Sequence, residues 1–240
     1  MFAAPLSESR SEFLRGARAF LPLAVSIAAY GVVWGVLAGQ AGLSAFEVLL
    51  MCALVFAGAS QFVALDMWTA PTALPIASIV VAVLIVNLRM ALMSATMRPI
   101  LAEQPLWRRL FGIYTVSDEQ WALTMAEVRD GRGTAAYYFG ASLFCYLTWI
   151  VSPLAGRLIG SGIDDPTTWG LDFAFTATFL ALLFGMWRGR GNLVPWTVAA
   201  LVAIGTARLV PGNWYIVAGG LAGSFAGAVA ETLKARPDGA

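Results

Sequence analysis

The sequence predicts an all-α fold: a polytopic bundle of transmembrane helices with no soluble domain between them. Of its 240 residues, 59% are hydrophobic and only 12% are charged, against roughly 25% charged in soluble domains. The apolar residues also come in runs close to the ~20 that a helix needs to cross a bilayer. Two of those runs are interrupted by polar groups: Gly58, Ala59, Ser60 and Gln61 in one, Asn87 and Arg89 in another. A charge at the centre of a membrane helix costs at least about 2.5 kcal/mol. Such residues normally face a protein interior or a water-filled path, so the two breaks point to a substrate pathway.

Eight candidate segments follow from the apolar runs: 19–39, 45–65, 74–97, 110–128, 135–158, 173–187, 193–209 and 214–233. They make one integral membrane domain over residues 1–240, with flexible ends at 1–11 and 235–240. Arg10, Arg15 and Arg18 precede the first run. That run is longer than the 7–15 or so residues of a signal-peptide core, so it reads as a span. The fourth segment is the weakest, because it carries Asp118, Glu119 and Glu127.

Lys and Arg in short loops mark the cytoplasmic side. If all eight segments cross and the N-terminus is inside, five arginines lie outside: Arg98, Arg108, Arg109, Arg157 and Arg208. If the second segment is re-entrant and the fourth lies at the interface, only Arg157 and Arg208 remain outside. The second arrangement obeys the rule better and places Gly58 to Gln61 at the tip of a re-entrant element, where irregular backbone is tolerated. Both arrangements put both termini in the cytoplasm. Trp68, Trp107, Trp169, Trp187, Trp196 and Trp214 fall at segment ends, as an aromatic belt would.

The polar groups each have a functional and a structural reading. Small residues at Gly58, Ala59 and Ser60 let backbones approach closely, and a broken helix offers N–H groups to an anion such as a substrate carboxylate. Gln61 can donate and accept at the same place; alternatively it bonds a neighbouring helix. Arg89 keeps its proton and must find an acceptor. It lies about nine residues, or about 13 Å, from the end of its segment. Snorkelling that far is strained, so a buried partner is expected, with Asp118 or Glu119 the candidates. Asp118 and Glu119 are adjacent and point in different directions on a helix. One could titrate in a cavity, which suits proton coupling in a chain with no His. Equally, Ser117 or Asp118 could cap a helix whose dipole favours both acids. Asp172, ahead of a further apolar run, has the same two readings.

Gly31, Gly35 and Gly39 recur every fourth residue in the first segment, and Gly219, Gly223 and Gly227 in the last. Each set lays a flat stripe on one helix face for close packing. The stripes pack against each other, or one receives a partner helix; the intramolecular reading is the default. A faint repeat relates Gly42, Leu43, Ala53, Leu54 and Phe56 to Gly170, Leu171, Ala181, Leu182 and Phe184.

Several classes are excluded or disfavoured. A net charge of +1 leaves no electrostatic footprint for nucleic acid. Without histidine, no imidazole metal site exists. The Asp164-Asp165 pair reads as a solvated loop rather than a metal site. No P-loop pattern occurs, so ATP does not drive the chain directly. No nucleophile elbow is present. Neither an enzyme nor any cofactor is implied. Cys52 and Cys145 both sit in apolar runs and read as small buried hydrophobes rather than a disulfide.

Four stretches together resemble a known family, the AzlC-type transporters. They are residues 56–62 (FAGASQF), 87–99 (NLRMALMSATMRP), 117–122 (SDEQWA) and 171–183 (LDFAFTATFLALL). They stand in the family's order and spacing, and the resemblance runs from about residue 20 to 230. One departure is visible: the third motif usually begins with Thr, and Ser117 stands there. The resemblance implies a bacterial inner-membrane permease that exports leucine, isoleucine and valine, sometimes methionine, with a small AzlD-type membrane subunit as partner. The translocation residues expected from the readings above are Gly58, Ser60, Gln61, Asn87, Arg89, Asp118, Glu119 and Asp172. A channel, or a structural subunit whose partner sets the substrate, is the rival reading.

Overall fold

The computed structural model describes residues 6–68, 75–160, 189–211 and 214–234, with Gly162, Leu180, Phe184 and Trp187. Every regular element among them is helical. Five helices are long and apolar enough to cross a membrane. They are α1 (Leu6–Gln40), α4 (Ile76–Thr96), α8 (Ala135–Gly160), α9 (Leu193–Leu209) and α10 (Trp214–Lys234). The described residues fall into two compact units. One holds the chain up to Leu65 and from Asn87 through α8; the other holds Asp66–Val86, α9 and α10.

The first unit is organised by α1 and α8. A Cβ on Gly16 would fall on the Tyr137 carbonyl, one on Gly35 on the Pro153 carbonyl, and one on Gly156 on the Val32 carbonyl. The glycines therefore set the helix separation, because any side chain there would force the backbones apart. Gly31 meets Ser152, and Gly39 meets Arg157. The paired numbers rise together, so the two helices are parallel. Parallel spans require an odd number of crossings between them, and α4 supplies one. Arg157 also donates from Nε to the Leu43 carbonyl at 2.6 Å, tying α8 to the turn after α1. That turn needs Gly42, whose φ of 88° is left-handed, a conformation that ends helices at little cost for glycine.

Two expected spans are broken instead. Segment 45–65 divides into α2 (Ala45–Leu54) and α3 (Gly58–Asp66). Segment 110–128 divides into α6 (Leu106–Tyr114) and α7 (Asp118–Arg129), reached from α4 through the short α5 (Arg98–Leu101). The fourth segment is therefore not a single span. Its acids open a new helix, where the dipole favours them, rather than riding inside an apolar one.

An ion network joins the start of α1 to the turn between α7 and α8. Arg15 donates to Glu12 and to Glu127, each at 2.7 Å. Arg132 donates to Glu127 and to Asp130, each at 3.1 Å. Those two arginines hold the Glu127 carboxyl below the usual carboxylate range.

In the second unit, α9 and α10 form an antiparallel pair. Gly219 meets Ala199 and Ala203, Gly223 meets Ala199 and Pro195, and Gly227 meets Pro195. The glycine stripes thus pack within the chain, but not on each other: α8 receives the first and α9 the second. Segments 193–209 and 214–233 correspond to α9 and α10. Most of segment 173–187, the later half of the faint repeat, Asp164, Asp165 and Asp172 lie outside the described residues.

Candidate functional site

The first break is built to satisfy its own backbone. Ser44 opens α2 with a capping box: the Glu47 N–H donates to Ser44 Oγ at 3.2 Å, and the Ser44 N–H donates to Glu47 Oε2 at 2.7 Å. α2 ends at Leu54, leaving carbonyls without intrahelical partners. Gln61, fully buried, supplies donors. Its Nε2 donates to the Met51 carbonyl at 2.9 Å and to the Val55 carbonyl at 2.7 Å. Its Oε1 accepts from Trp149 Nε1 at 3.0 Å. The Ala53 carbonyl accepts from the Tyr146 hydroxyl at 2.9 Å and from the Tyr114 hydroxyl. Gly58 lies against the Trp149 ring, which a Cβ would approach to 2.8 Å. Both amide N–H groups of Gln61 are thus spent on the break.

Ser60, also fully buried, donates to Asn87 Oδ1 at 2.6 Å. This bond joins α3 to α4 two residues before Arg89. The two polar interruptions of the sequence therefore meet through Ser60 and Asn87.

The second break has the same seal with charge beside it. Gln120 is fully buried and its Nε2 donates to the Thr115 carbonyl. The Tyr138 hydroxyl donates to the Gly112 carbonyl at 2.5 Å. Ser117 stands at the N-cap of α7 with extended backbone, but its hydroxyl caps no N–H. It lies 3.0 Å from Glu119 Oε2, 3.1 Å from Gln120 Oε1 and 3.7 Å from Cys145 Sγ. Arg89 Nη2 pairs with Asp118 Oδ2 at 2.9 Å, with the two side chains 38% and 49% exposed. The pair is half-open: each side chain keeps part of its surface uncovered by the chain. Glu119, the next residue, is mostly buried. Burial pushes its carboxyl above the usual range and the neighbouring Asp118 charge adds to this; its hydrogen bonds and Arg89 pull the other way.

Four buried side-chain polar atoms among the described residues have no partner: Arg89 Nε, Tyr30 Oη, Trp34 Nε1 and Ser142 Oγ. An unmatched buried polar group costs about 1–3 kcal/mol. The Tyr30 ring stacks on Phe62 at 4.5 Å and lies 5.7 Å from Trp149. Phe62 follows Ser60 by two residues, and Ser60 bonds Asn87, two residues before Arg89. Cationic donors, an acid and an aromatic wall are thus gathered in one unit. No cluster of three or more His, Cys, Asp or Glu among the described residues could hold a metal.

The AzlC protein family matches residues 22–163, which takes in both breaks and the Arg89–Asp118 pair. This chain belongs to the AzlC family. It is 24% identical to the branched-chain amino acid transport protein AzlC of Bacillus subtilis, over 87% of this chain and 82% of that protein. It is likewise 24% identical to the inner membrane protein YgaZ of Escherichia coli, over 94% of each. A membrane protein of Helicobacter pylori shares 28% identity over 75% of this chain and 80% of its own length. No solved structure matches. The chain is thus an AzlC-family membrane protein with relatives that include a named amino-acid transport protein.

Sequence reasoning missed Tyr30, Trp149 and Gln120. Gln120 was visible as a buried-type amide three residues after Ser117. Tyr30 and Trp149 gave no signal, because an aromatic residue in an apolar run is unremarked until its polar atom is seen buried.

Proposed function

We propose that this chain is the permease subunit of a secondary transporter that exports branched-chain and related neutral amino acids. It works in the bacterial inner membrane, with both termini cytoplasmic, beside a small AzlD-type subunit, and is driven by protons. One observation carries the reading: the half-open Arg89–Asp118 pair at the α6–α7 break, with the buried Glu119 carboxyl next to it. The family match over this region and the Bacillus subtilis relative's name support it.

The pair suits a zwitterion. A guanidinium can clamp a carboxylate through two N–H groups, and a substrate carboxylate can replace Asp118 on Arg89. Asp118, released, faces the substrate ammonium. The exchange keeps every charge partnered, which lowers the cost of holding a zwitterion away from water. Glu119 holds the coupling proton, because its proton is bound more tightly than an ordinary carboxyl's. Gly58, Ser60, Gln61 and Asn87 fix the broken helix that frames this exchange.

The test is efflux from cells loaded with dipeptides of leucine, isoleucine, valine or methionine. The chain is expressed alone and beside an AzlD-type subunit. Faster efflux with both chains, lost on Arg89→Ala, is the expected result. Unchanged efflux in both settings, with insertion verified, ends the amino-acid reading.

A further inference from the structure

We propose that Tyr30 is a substrate ligand: its hydroxyl, with Arg89 Nε, takes the amino-acid carboxylate, and the Tyr30–Phe62–Trp149 wall takes the side chain. This rests on the reading above and deepens it.

The starting point is an imbalance of donors. The Tyr30 hydroxyl and Arg89 Nε are both buried and both without an acceptor. Structural tyrosines of this unit are treated differently: the Tyr114, Tyr138 and Tyr146 hydroxyls each donate to a backbone carbonyl. Tyr30 is nevertheless pinned. Its ring stacks on Phe62 at 4.5 Å and 26°, and Trp149 lies 5.7 Å away. A rigid ring aims an unused hydroxyl at a fixed place, so the ordering cost of binding is already met.

The missing partner must be rich in acceptors, since Arg89 can only donate. It must also tolerate Asp118, the acid paired with Arg89 at 2.9 Å. A carboxylate alone would meet the cation and the acid together. A carboxylate carrying an ammonium on the adjacent carbon answers both signs, which is an α-amino acid. Phe62 is fully buried and Trp149 nearly so. The indole N–H of Trp149 is held by Gln61, so the one polar atom these three rings leave unpaired is the Tyr30 hydroxyl. Apolar side chains fit this wall, and charged ones lose hydration with no partner.

Tyr30→Phe tests this. The substitution keeps the ring and its stacking and removes only the hydroxyl. It is measured in proteoliposomes holding whichever subunits the efflux test requires, by counterflow of labelled leucine, with thermal unfolding alongside. We expect the half-saturating leucine concentration to rise about 10- to 100-fold, as loss of a hydrogen bond to a charged group should. Thermal stability should be equal or higher, because a buried orphan is gone. Inhibition by 3-methylbutylamine, which lacks the carboxylate, should be the same in both proteins. An unchanged leucine concentration, in a wild type that transports, overturns the role of Tyr30 and leaves the transport reading intact. An equal loss for the amine overturns the carboxylate assignment. A variant that fails to accumulate shows a structural hydroxyl and also overturns it. A wild type that moves no amino acid removes the reading on which the proposal rests, and the proposal with it.

Discussion

The α2–α3 break and the α6–α7 break use one device and end in different chemistry. Each is sealed by a fully buried glutamine whose amide donates to carbonyls that a helix leaves behind: Gln61 to Met51 and Val55, Gln120 to Thr115. At the first break every observed partner is neutral, and Gln61, Trp149, Tyr114 and Tyr146 close the account. At the second, Arg89 and Asp118 face each other half-open and Glu119 is buried beside them. Polar residues in a membrane sequence thus mark two things: where the backbone must be repaired, and where charge is handled. Only the hydrogen-bond partners separate the two.

The strongest way to break this comparison is to exchange the consequences. Arg89→Ala should cut transport at least about 100-fold, since it removes the one cation of the site. It should cost at most about 1 kcal/mol of stability, because the pair is half-exposed. Gln61→Leu should do the reverse. The Trp149 N–H loses its partner in the interior, at about 1–3 kcal/mol, and the Met51 and Val55 carbonyls each lose one of two donors. Protein that still folds should move leucine at close to the wild-type rate per molecule. Thermal unfolding beside counterflow reads both variants. If Arg89→Ala unfolds the protein while Gln61→Leu folds well and is inactive, the roles of the two breaks are exchanged.

Much of the fold was legible, for a physical reason. A bilayer demands long apolar runs, and α1, α4, α8, α9 and α10 follow those runs closely. Segment two carried a signal in Gly58 to Gln61, which raised a re-entrant break, and segment four one in its acids. The unwound turns themselves, residues 55–57 and 115–117, are as apolar or as small as their neighbours, because apolarity measures burial, not continuity of the helix. The Arg89–Asp118 pair was legible because a guanidinium in the middle of an apolar run admits few partners. Which glycine stripe met which helix was not legible. The stripe on α1 meets Ser152, Pro153 and Arg157 on α8, which form no glycine stripe of their own. Tyr30 was invisible because its significance lies in a bond it lacks.

A smaller effect sharpens what sets the second break apart. Glu119 faces Asp118 and Ser117 on its own stretch, Arg89 from α4, Tyr30 from α1 and Cys145 from α8. Its folded carboxyl binds a proton more tightly than an unfolded one. The resulting stability is fully present below the ordinary glutamate value of about 4.3. It is lost as pH rises through the higher folded value. Glu119→Gln should therefore flatten the rise and fall of melting temperature over that window and exceed the wild type at its alkaline end. Transport should persist as exchange but lose its response to a pH gradient. A gradient response equal to wild type would remove Glu119 from proton coupling and leave the Arg89–Asp118 pair to account for it.

The mildest substitution asks whether the two glutamine seals are equivalent. Gln120→Leu leaves the Thr115 carbonyl without its side-chain donor, where Gln61→Leu strips two carbonyls and an indole. One orphaned acceptor should cost about 1–2 kcal/mol, clearly less than Gln61→Leu. Yet Gln120 Oε1 also stands 3.1 Å from the Ser117 hydroxyl, which in turn lies 3.0 Å from Glu119. With the amide gone, Ser117 is free to donate to Glu119 alone, and a hydrogen bond to the charged form favours ionisation. Gln120→Leu should therefore shift the midpoint of any pH dependence of transport toward acid, in addition to its small loss of stability. Gln61→Leu has no route to Glu119 of this kind and should leave that midpoint in place. A shift of equal size in both variants would mean that the breaks are coupled, and that the neutral one also sets the charge state of the other.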